Sequence, residues 1–581
     1  MASSQATAMI PFAEEQLAPL RSLLADSSAE QRTWLSGYIA GFQAANAPAA
    51  AAAPPAAKPA LTVLYATESG NSEALAASAK REAGKLGFAA RVLDMADASL
   101  DGLAKAGNLL VIASTWGEGD PPQRAEAFFA ALMASDAPPL AGLRYAVLAL
   151  GDRAYAKFCE TGRRIDTRLA ELGATRLAPV EECDLDFEVP ARAWIGTTLR
   201  ELGAETPASV IHVDFMRPPA TEAAAHSRAR PFAAEIAELV NLNSSRSTVR
   251  NFHIALSLAG SGLAYEPGDA IGVLPTNDPA LVDDVLRAAG LDHDDALRAA
   301  LATRHDITTL TQPQISAYAA LVGDAKLAAI GADPLQAAAF RAERQFIDLL
   351  DAAPHKLAAE QLAGLLRPLA PRLYSVASSR KLVDETAELL VAEVAWEAHG
   401  RARRGVASGE IARRRVGETL PAYVQANRHF RLPDEAERPV LMIGPGTGVA
   451  PFRAFMQEQE ALGQKRRSWL FFGARQFTHD FLYQLDWQEW LRAGLLTRMD
   501  VAFSRDQPEK QYVQDRMWEQ RRDLFAWLEE GAVLYVCGDA AAMAKDVHAM
   551  LARIVADQSG RDGEAYLRDL VQAGRYKRDV Y

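Results

Sequence analysis

The chain has 581 residues, 49% of them hydrophobic and 23% charged, with a formal net charge of −12. That length is too great for one core and predicts three or four domains, and the composition is that of a globular chain rather than a disordered one. The acidic balance argues against a general affinity for nucleic acid or an anionic membrane and suits a basic partner.

No basic segment followed by an apolar run opens the chain, and no stretch approaches the roughly 20 apolar residues of a membrane span, so a cytoplasmic location is expected. Cys159, Cys183 and Cys537 are far apart and odd in number. They make neither a disulfide framework nor a CxxC metal site, and no metal is expected.

Residues 14–44 carry two amphipathic patterns. Leu17, Leu20 and Leu24 recur at helical spacing; then Ser28 and Gln31 form a capping box ahead of Trp34, Leu35, Tyr38, Ile39 and Phe42. So small a helical pair cannot bury those aromatics alone. It either docks on another subunit, giving a homo-oligomer through residues 1–46, or packs on its own chain. Residues 47–60, APAAAAAPPAAKPA, read as a linker, and so does the Pro/Ala-rich stretch 203–230.

Between the linkers, LTVLYA, NLLVIA and RYAVLALG are strands alternating with helical patterns, which predicts a parallel sheet covered on both faces over residues 61–202. The block 231–433 opens on FAAEIAELVNL and VRNFHIALSL, which read as antiparallel strands, and on YEPGDAIGVLP, whose Pro-Gly-Asp marks a tight turn. An Ala/Leu-rich helical insertion follows at about 278–366, and the βα rhythm returns over 434–581. The expected fold class is multidomain α/β.

In an open α/β sheet, ligands bind beyond the carboxyl ends of the strands. Three loops of the first block converge there. Thr67, Glu68, Ser69, Gly70, Asn71 and Ser72 precede a helix, and their hydroxyls and N–H groups can hold a phosphate without a basic side chain. Ser114, Thr115, Trp116 and Gly117 expose a tryptophan among turn formers, while Leu150, Gly151, Asp152, Tyr155, Phe158 and Cys159 expose two more rings. Aromatics on neighbouring loops can sandwich a flat ring. These loops resemble the FMN loops of flavodoxin, and the resemblance implies that Trp116 and Tyr155 flank the isoalloxazine.

Arg372, Leu373, Tyr374 and Ser375 stand in PRLYSVASS, which resembles the FAD signature of the ferredoxin reductase fold. Arg372 can bond a pyrophosphate, Tyr374 can stack on the flavin, and Ser375 can hydrogen-bond near its hydride-accepting nitrogen. Gly405, Val406, Ala407 and Ser408 resemble that family's second pyrophosphate contact. Trp396 is either the aromatic over adenine or a core tryptophan of a barrel strand.

The glycine-rich loop IGPGTGVAPFR, which contains Thr447, has strand-loop-helix context. Ser504, Arg505, Lys510, Tyr512 and Gln514 supply the hydroxyl, cations and aromatic that would hold a 2′-phosphate, and so favour NADPH over NADH. The resemblance further implies that Cys537 sits beside the nicotinamide, that Asp546 contacts NADPH, that the terminal Tyr581 covers the FAD ring, and that Asp579 lies close to Ser375 and Cys537.

Flavodoxin, barrel and nucleotide blocks in that order resemble the diflavin reductase family over residues 61–581. Within it RDVY, FRLP and SGYIAGF are most similar to the flavoprotein subunits of assimilatory NADPH-sulfite reductases, although these commonly carry glutamine where this chain has Trp116. The resemblance implies FAD, FMN and NADPH as cofactors and an electron path from NADPH through FAD and FMN to the siroheme (beta) subunit. Ser375, Cys537 and Asp579 would be the catalytic residues. A soluble reductase serving a cytochrome, and a silent scaffold, are the competing readings. The acidic run Glu181, Glu182, Asp184, Asp186 and Glu188 either docks a basic acceptor or is a solvated loop.

Overall fold

The computed structural model describes residues 58–581 apart from 118, 156, 205–225 and 541, together with eight positions between Pro19 and Leu35. Two units divide the chain, Met1–Lys58 and Pro59–Tyr581. In the first, the capping box forms: the Ser28 N–H donates to Gln31 Oε1 at 2.8 Å, and the Gln31 N–H donates to Ser28 Oγ at 3.2 Å. The aromatics expected to dock a second subunit, Trp34, Tyr38 and Phe42, lie outside the described residues, as does most of each linker.

The second unit begins with a parallel sheet of β1 (Ala60–Ala66), β2 (Ala89–Asp94), β3 (Asn108–Ser114), β4 (Arg144–Leu150) and β5 (Thr175–Arg176) in the order β2-β1-β3-β4-β5, with β6 (Glu181–Cys183) paired to β4. Strands β3 and β4 are near-continuous apolar runs because helices cover both faces. Leu75 and Ala79 of the helix Asn71–Lys85 pack on one face with Ile195 and Leu199. Phe128 and Leu132 of Glu126–Met133 pack on the other with Ile165 and Leu169. The parallel connections bring three strand-to-helix loops to one edge.

The middle is antiparallel: β7 (Phe232–Asn241), β8 (Asn251–Ser257), β9 (Ala270–Val273), the short pair β10 (His305–Asp306) and β11 (Arg367–Pro368), β12 (Arg372–Ser375), β13 (Thr386–Ala392), the hairpin β14 (Ala395–Ala398) and β15 (Arg401–Arg404), and β16 (Thr419–Gln425). Six of these run β12-β9-β16-β7-β8-β13, and a bridge from Val376 to Leu389 ties the two ends together. The turn at Gly268 admits no side chain: its φ is +98°, and a Cβ there would stand 1.7 Å from the Phe430 carbonyl oxygen. Helices from Pro279–Ala289 to Ala359–Leu365 form the insertion, with a core of their own around Leu286, Ile315, Tyr318 and Leu349.

Last comes a parallel sheet of β17 (Val440–Ile443), β18 (Ser468–Ala474), β19 (Arg498–Phe503), β20 (Val533–Gly538) and β21 (Tyr576–Val580), ordered β19-β18-β17-β20-β21. The order reverses between β17 and β20, and that switch point opens a crevice. No helix among the described residues is long and apolar enough to cross a membrane.

Candidate active site

The three loops at the edge of the first sheet wall a chamber of about 600 Å³. Glu68, Ser69, Asn71, Ser114, Thr115, Trp116, Gly117, Leu150, Gly151, Asp152, Tyr155 and Cys159 all line it. Trp116 also packs against the core of the last sheet, beside Tyr576 and Val580, whereas Tyr155 is 54% exposed. The Ser69 and Asn71 side chains have no hydrogen-bond partner among the described residues. Ser72 is fully buried and its Oγ has no partner. Ser114 donates to the Ala66 carbonyl at 3.1 Å and Thr115 accepts from the Thr161 N–H at 3.1 Å, so these two hydroxyls brace the loops. Gly70, at φ +81°, begins the helix beneath them.

Phe158 was expected among these residues. Its ring lies outside this chamber, 4.8 Å from the Arg153 guanidinium and 5.9 Å from that of Arg163, in a separate cavity beside the helical insertion. A ring next to two cations is held by them rather than by a stacking partner. Thr67, too, lines a different and smaller chamber. Arg228, Glu126 and Arg578 line the main chamber without having been foreseen, the two arginines because they come from segments distant in sequence.

Ser375, Cys537 and Asp579 come together from three strands. Register places Cys537 opposite Asp579 across β20 and β21. The Ser375 hydroxyl donates to Asp579 Oδ2 at 2.6 Å, and the Cys537 thiol lies 3.8 Å from the same oxygen. Burial raises the Asp579 carboxyl, opposed by the hydrogen bonds from Ser375 and Cys537. Burial, and then the Asp579 charge, push the Cys537 thiol well above its ordinary range, so it stays protonated. Two residues on, Tyr581 donates its N–H to the Gly538 carbonyl at 3.1 Å, and its hydroxyl sits 2.9 Å from Thr447 Oγ1.

A second chamber, of about 610 Å³, opens at the switch point. Thr447, Ser504, Tyr512, Gln514, Asp546 and Tyr581 line it, together with Arg250 and Arg475. Arg505 and Lys510 are exposed and outside its lining. Arg475 was missed by motif reasoning, yet it immediately follows β18, where the strand-end rule points. Gly448 lies flush on β20: a Cβ there would stand 2.1 Å from the Cys537 carbonyl oxygen.

On the barrel, Arg372 bonds only the carbonyl oxygens of Ala370 and Pro371, at 3.3 and 3.4 Å, and no carboxylate among the described residues pairs with it. Leu373 is exposed and Tyr374 half-buried. Gly405 and Val406 line a further cavity of about 440 Å³. Ala407 is buried, and Ser408 accepts the Val394 N–H at 3.1 Å. Trp396 stands opposite Arg403 on the β14–β15 hairpin and is half-buried.

Three family models match parts of the chain. Residues 63–194 match Flavodoxin, 224–322 and 297–409 match FAD binding domain, and 442–549 match Oxidoreductase NAD-binding domain. The chain is 43% identical to the sulfite reductase [NADPH] flavoprotein alpha-component of Bacillus subtilis, covering 98% of this chain and 99% of that one. It is 40% identical to the protein of that name from Yersinia pestis, covering 99% of each, and 40% identical to that of Vibrio parahaemolyticus, covering 98% and 96%. The chain belongs to that family. As a sulfite reductase flavoprotein alpha-component it is an NADPH oxidoreductase of the diflavin type, and FMN, FAD and NADPH are its cofactors. The residues present suit them: an orphaned buried hydroxyl and two unbonded polar side chains in the phosphate loop, an Arg372 without a counter-ion, and a glycine cradle that a side chain would fill.

Proposed function

We propose that the chain delivers reducing equivalents from NADPH to the haem-bearing (beta) component of sulfite reductase, for reduction of sulfite to sulfide. The observation that carries this reading is a shared wall: Tyr581 lines both the flavodoxin-type chamber and the nucleotide chamber. When bound, the cofactors supply a hydride from NADPH to FAD and single electrons from FMN to a metal centre.

The chain's own residues bind and orient. Ser69, Gly70, Asn71 and Ser72 take the FMN phosphate, and Trp116 and Tyr155 take its ring. Arg372, Tyr374, Trp396 and the segment 405–408 hold FAD. Thr447, Ser504, Tyr512, Gln514 and Asp546 hold the nucleotide, with Arg505 and Lys510 reaching its 2′-phosphate from outside. Ser375 directs its hydroxyl hydrogen at Asp579, which would leave the lone pairs of its oxygen free to accept from a bound flavin. The protonated Cys537 presents a small neutral surface.

The working divisions are 61–202 for FMN, 231–433 for FAD and 434–581 for NADPH, with 1–46 joining subunits in the cytoplasm. Purified protein should be yellow and release FAD and FMN in about equal amounts. Mixed with a siroheme beta component, it should co-purify and oxidise NADPH when sulfite is added. Rapid reduction of a cytochrome with no sulfite-dependent turnover would favour a cytochrome-type reductase instead.

A further inference from the structure

Behind the first loop of the flavodoxin-type site lies a small chamber of about 50 Å³. Three distant segments wall it: Glu68, Gln123 and Arg124 from the first sheet's loops, His429 from the stretch after β16, and Lys577 and Arg578 from β21. Glu68 is the only acid in this wall among the described residues.

Three polar atoms of the wall residues, Gln123 Nε2, His429 Nε2 and Arg578 Nε, are buried without a hydrogen-bond partner, one from each segment. With His429 in its Nε2–H tautomer all three are donors. A buried group left in that condition costs about 1–3 kcal/mol, and three on the residues of one wall point to an occupant. Water accepts two hydrogen bonds and must donate two of its own. An anion accepts from all three donors at once.

Charge points the same way. Arg124 is matched by Asp94 at 3.2 Å and Arg578 by Glu126 at 2.9 Å. Lys577 reaches only the Arg431 carbonyl oxygen, at 2.9 Å. Burial, with Arg124 and Arg431 facing it, holds Lys577 down at about 8, although Asp434 opposes them. Burial and Arg124 likewise hold His429 below the ordinary histidine range, although Asp94 and Glu73 oppose them.

We propose that this chamber binds a monovalent inorganic anion of halide size, which ties the flavodoxin-like segment to the barrel exit and to β21. A single ordered water needs about 10–15 Å³ by this measure of volume, so the chamber accepts a chloride or bromide but has no room for gluconate or a phosphate ester.

Crystals of the holoenzyme grown in sodium bromide should show an anomalous peak in the chamber. In solution, the holoenzyme should melt higher in sodium chloride or bromide than in gluconate of equal ionic strength, saturating at millimolar halide. Gln123→Glu, which supplies its own carboxylate, should abolish the halide-specific gain. Should that variant not fold, Lys577→Gln should weaken halide affinity at least tenfold. A chamber filled by water with no bromide signal, density there that proves to be flavin phosphate, or identical melting in halide and gluconate would each overturn the proposal.

Discussion

Tyr581 ends the chain with its hydroxyl on Thr447 and its ring in the wall of two chambers. With Tyr581 over FAD, as the family resemblance implies, a nicotinamide would have to displace that ring, and a stacked aromatic contributes about 0.5–1.5 kcal/mol. NADPH draws on contacts at its 2′-phosphate to do so, and NADH has none. Tyr581→Ala should therefore relax the preference for NADPH, raising the NADH/NADPH ratio of kcat/KM by up to about tenfold. An unchanged ratio with full flavin content would show that the ring is no gate. Glu68 permits a pH test at the same scale. Burial pushes its carboxyl up to about 7 from an ordinary 4.5, only partly offset by the Gln123 N–H and Arg578. The native state thus holds this proton more tightly than the unfolded chain does. The stability it contributes is present below pH 4.5 and is lost as pH rises to about 7, by at most about 3 kcal/mol. Denaturant midpoints of Glu68→Gln should fall less steeply over that window than those of wild type; parallel slopes would assign the titration elsewhere.

The loop from Gly446 to Val449 works as an element because it rests directly on β20. Adding a methyl at Gly448 forces loop and strand apart, at about 1–3 kcal/mol for overpacking, and moves Thr447 with the loop. Gly448→Ala should raise the KM for NADPH at least tenfold while both flavins remain bound, checked by nucleotide titration of the yellow protein. Unaltered nucleotide affinity would mean that this loop does not carry the nucleotide. The strand β21 illustrates a different limit of sequence reading. RDVY was recognisable as a motif, but five residues at a terminus carry too little pattern to announce a strand. Parallel pairing with β20 makes it one, and that register sets Asp579 against Cys537.

Across the whole second unit, the flavodoxin-like sheet is seated on the rest by a few polar ties. Arg367 of β11 bridges Asp152 and Asp184, Arg578 pairs with Glu126 at 2.9 Å, and Gln425 donates to the Ser69 carbonyl at 2.9 Å. These ties change the reading of the acidic run. Glu182 is bound by Arg163, Asp184 lies 3.7 Å from Arg367, and Glu188 lies 3.2 Å from Arg228. Three of its five carboxylates are thus matched within the chain, two of them by arginines from beyond the first sheet. Arg367→Gln removes a mostly buried cation from two carboxylates and should weaken docking by about 2 kcal/mol, roughly thirtyfold. Small-angle scattering at low salt should show a larger radius of gyration than wild type, with less further expansion as salt rises. Identical profiles would mean that this arginine does not hold the two parts together.

Fold class, block order and most chamber-lining residues were legible because each depends on local pattern: buried parallel strands read as apolar runs, and phosphate loops need glycine and hydroxyls where a strand turns into a helix. The strand-end rule even extends to Arg475. Tertiary structure alone decided which way a side chain on a shared loop faces. Phe158 and Tyr155 stand three positions apart in one loop and share the cavity beside the helical insertion, yet of the two Tyr155 alone also lines the flavodoxin-type chamber. Pairing between distant segments was equally hidden, because the energy that joins Ser375 to Asp579, or Arg367 to Asp152, depends on distances that only packing sets.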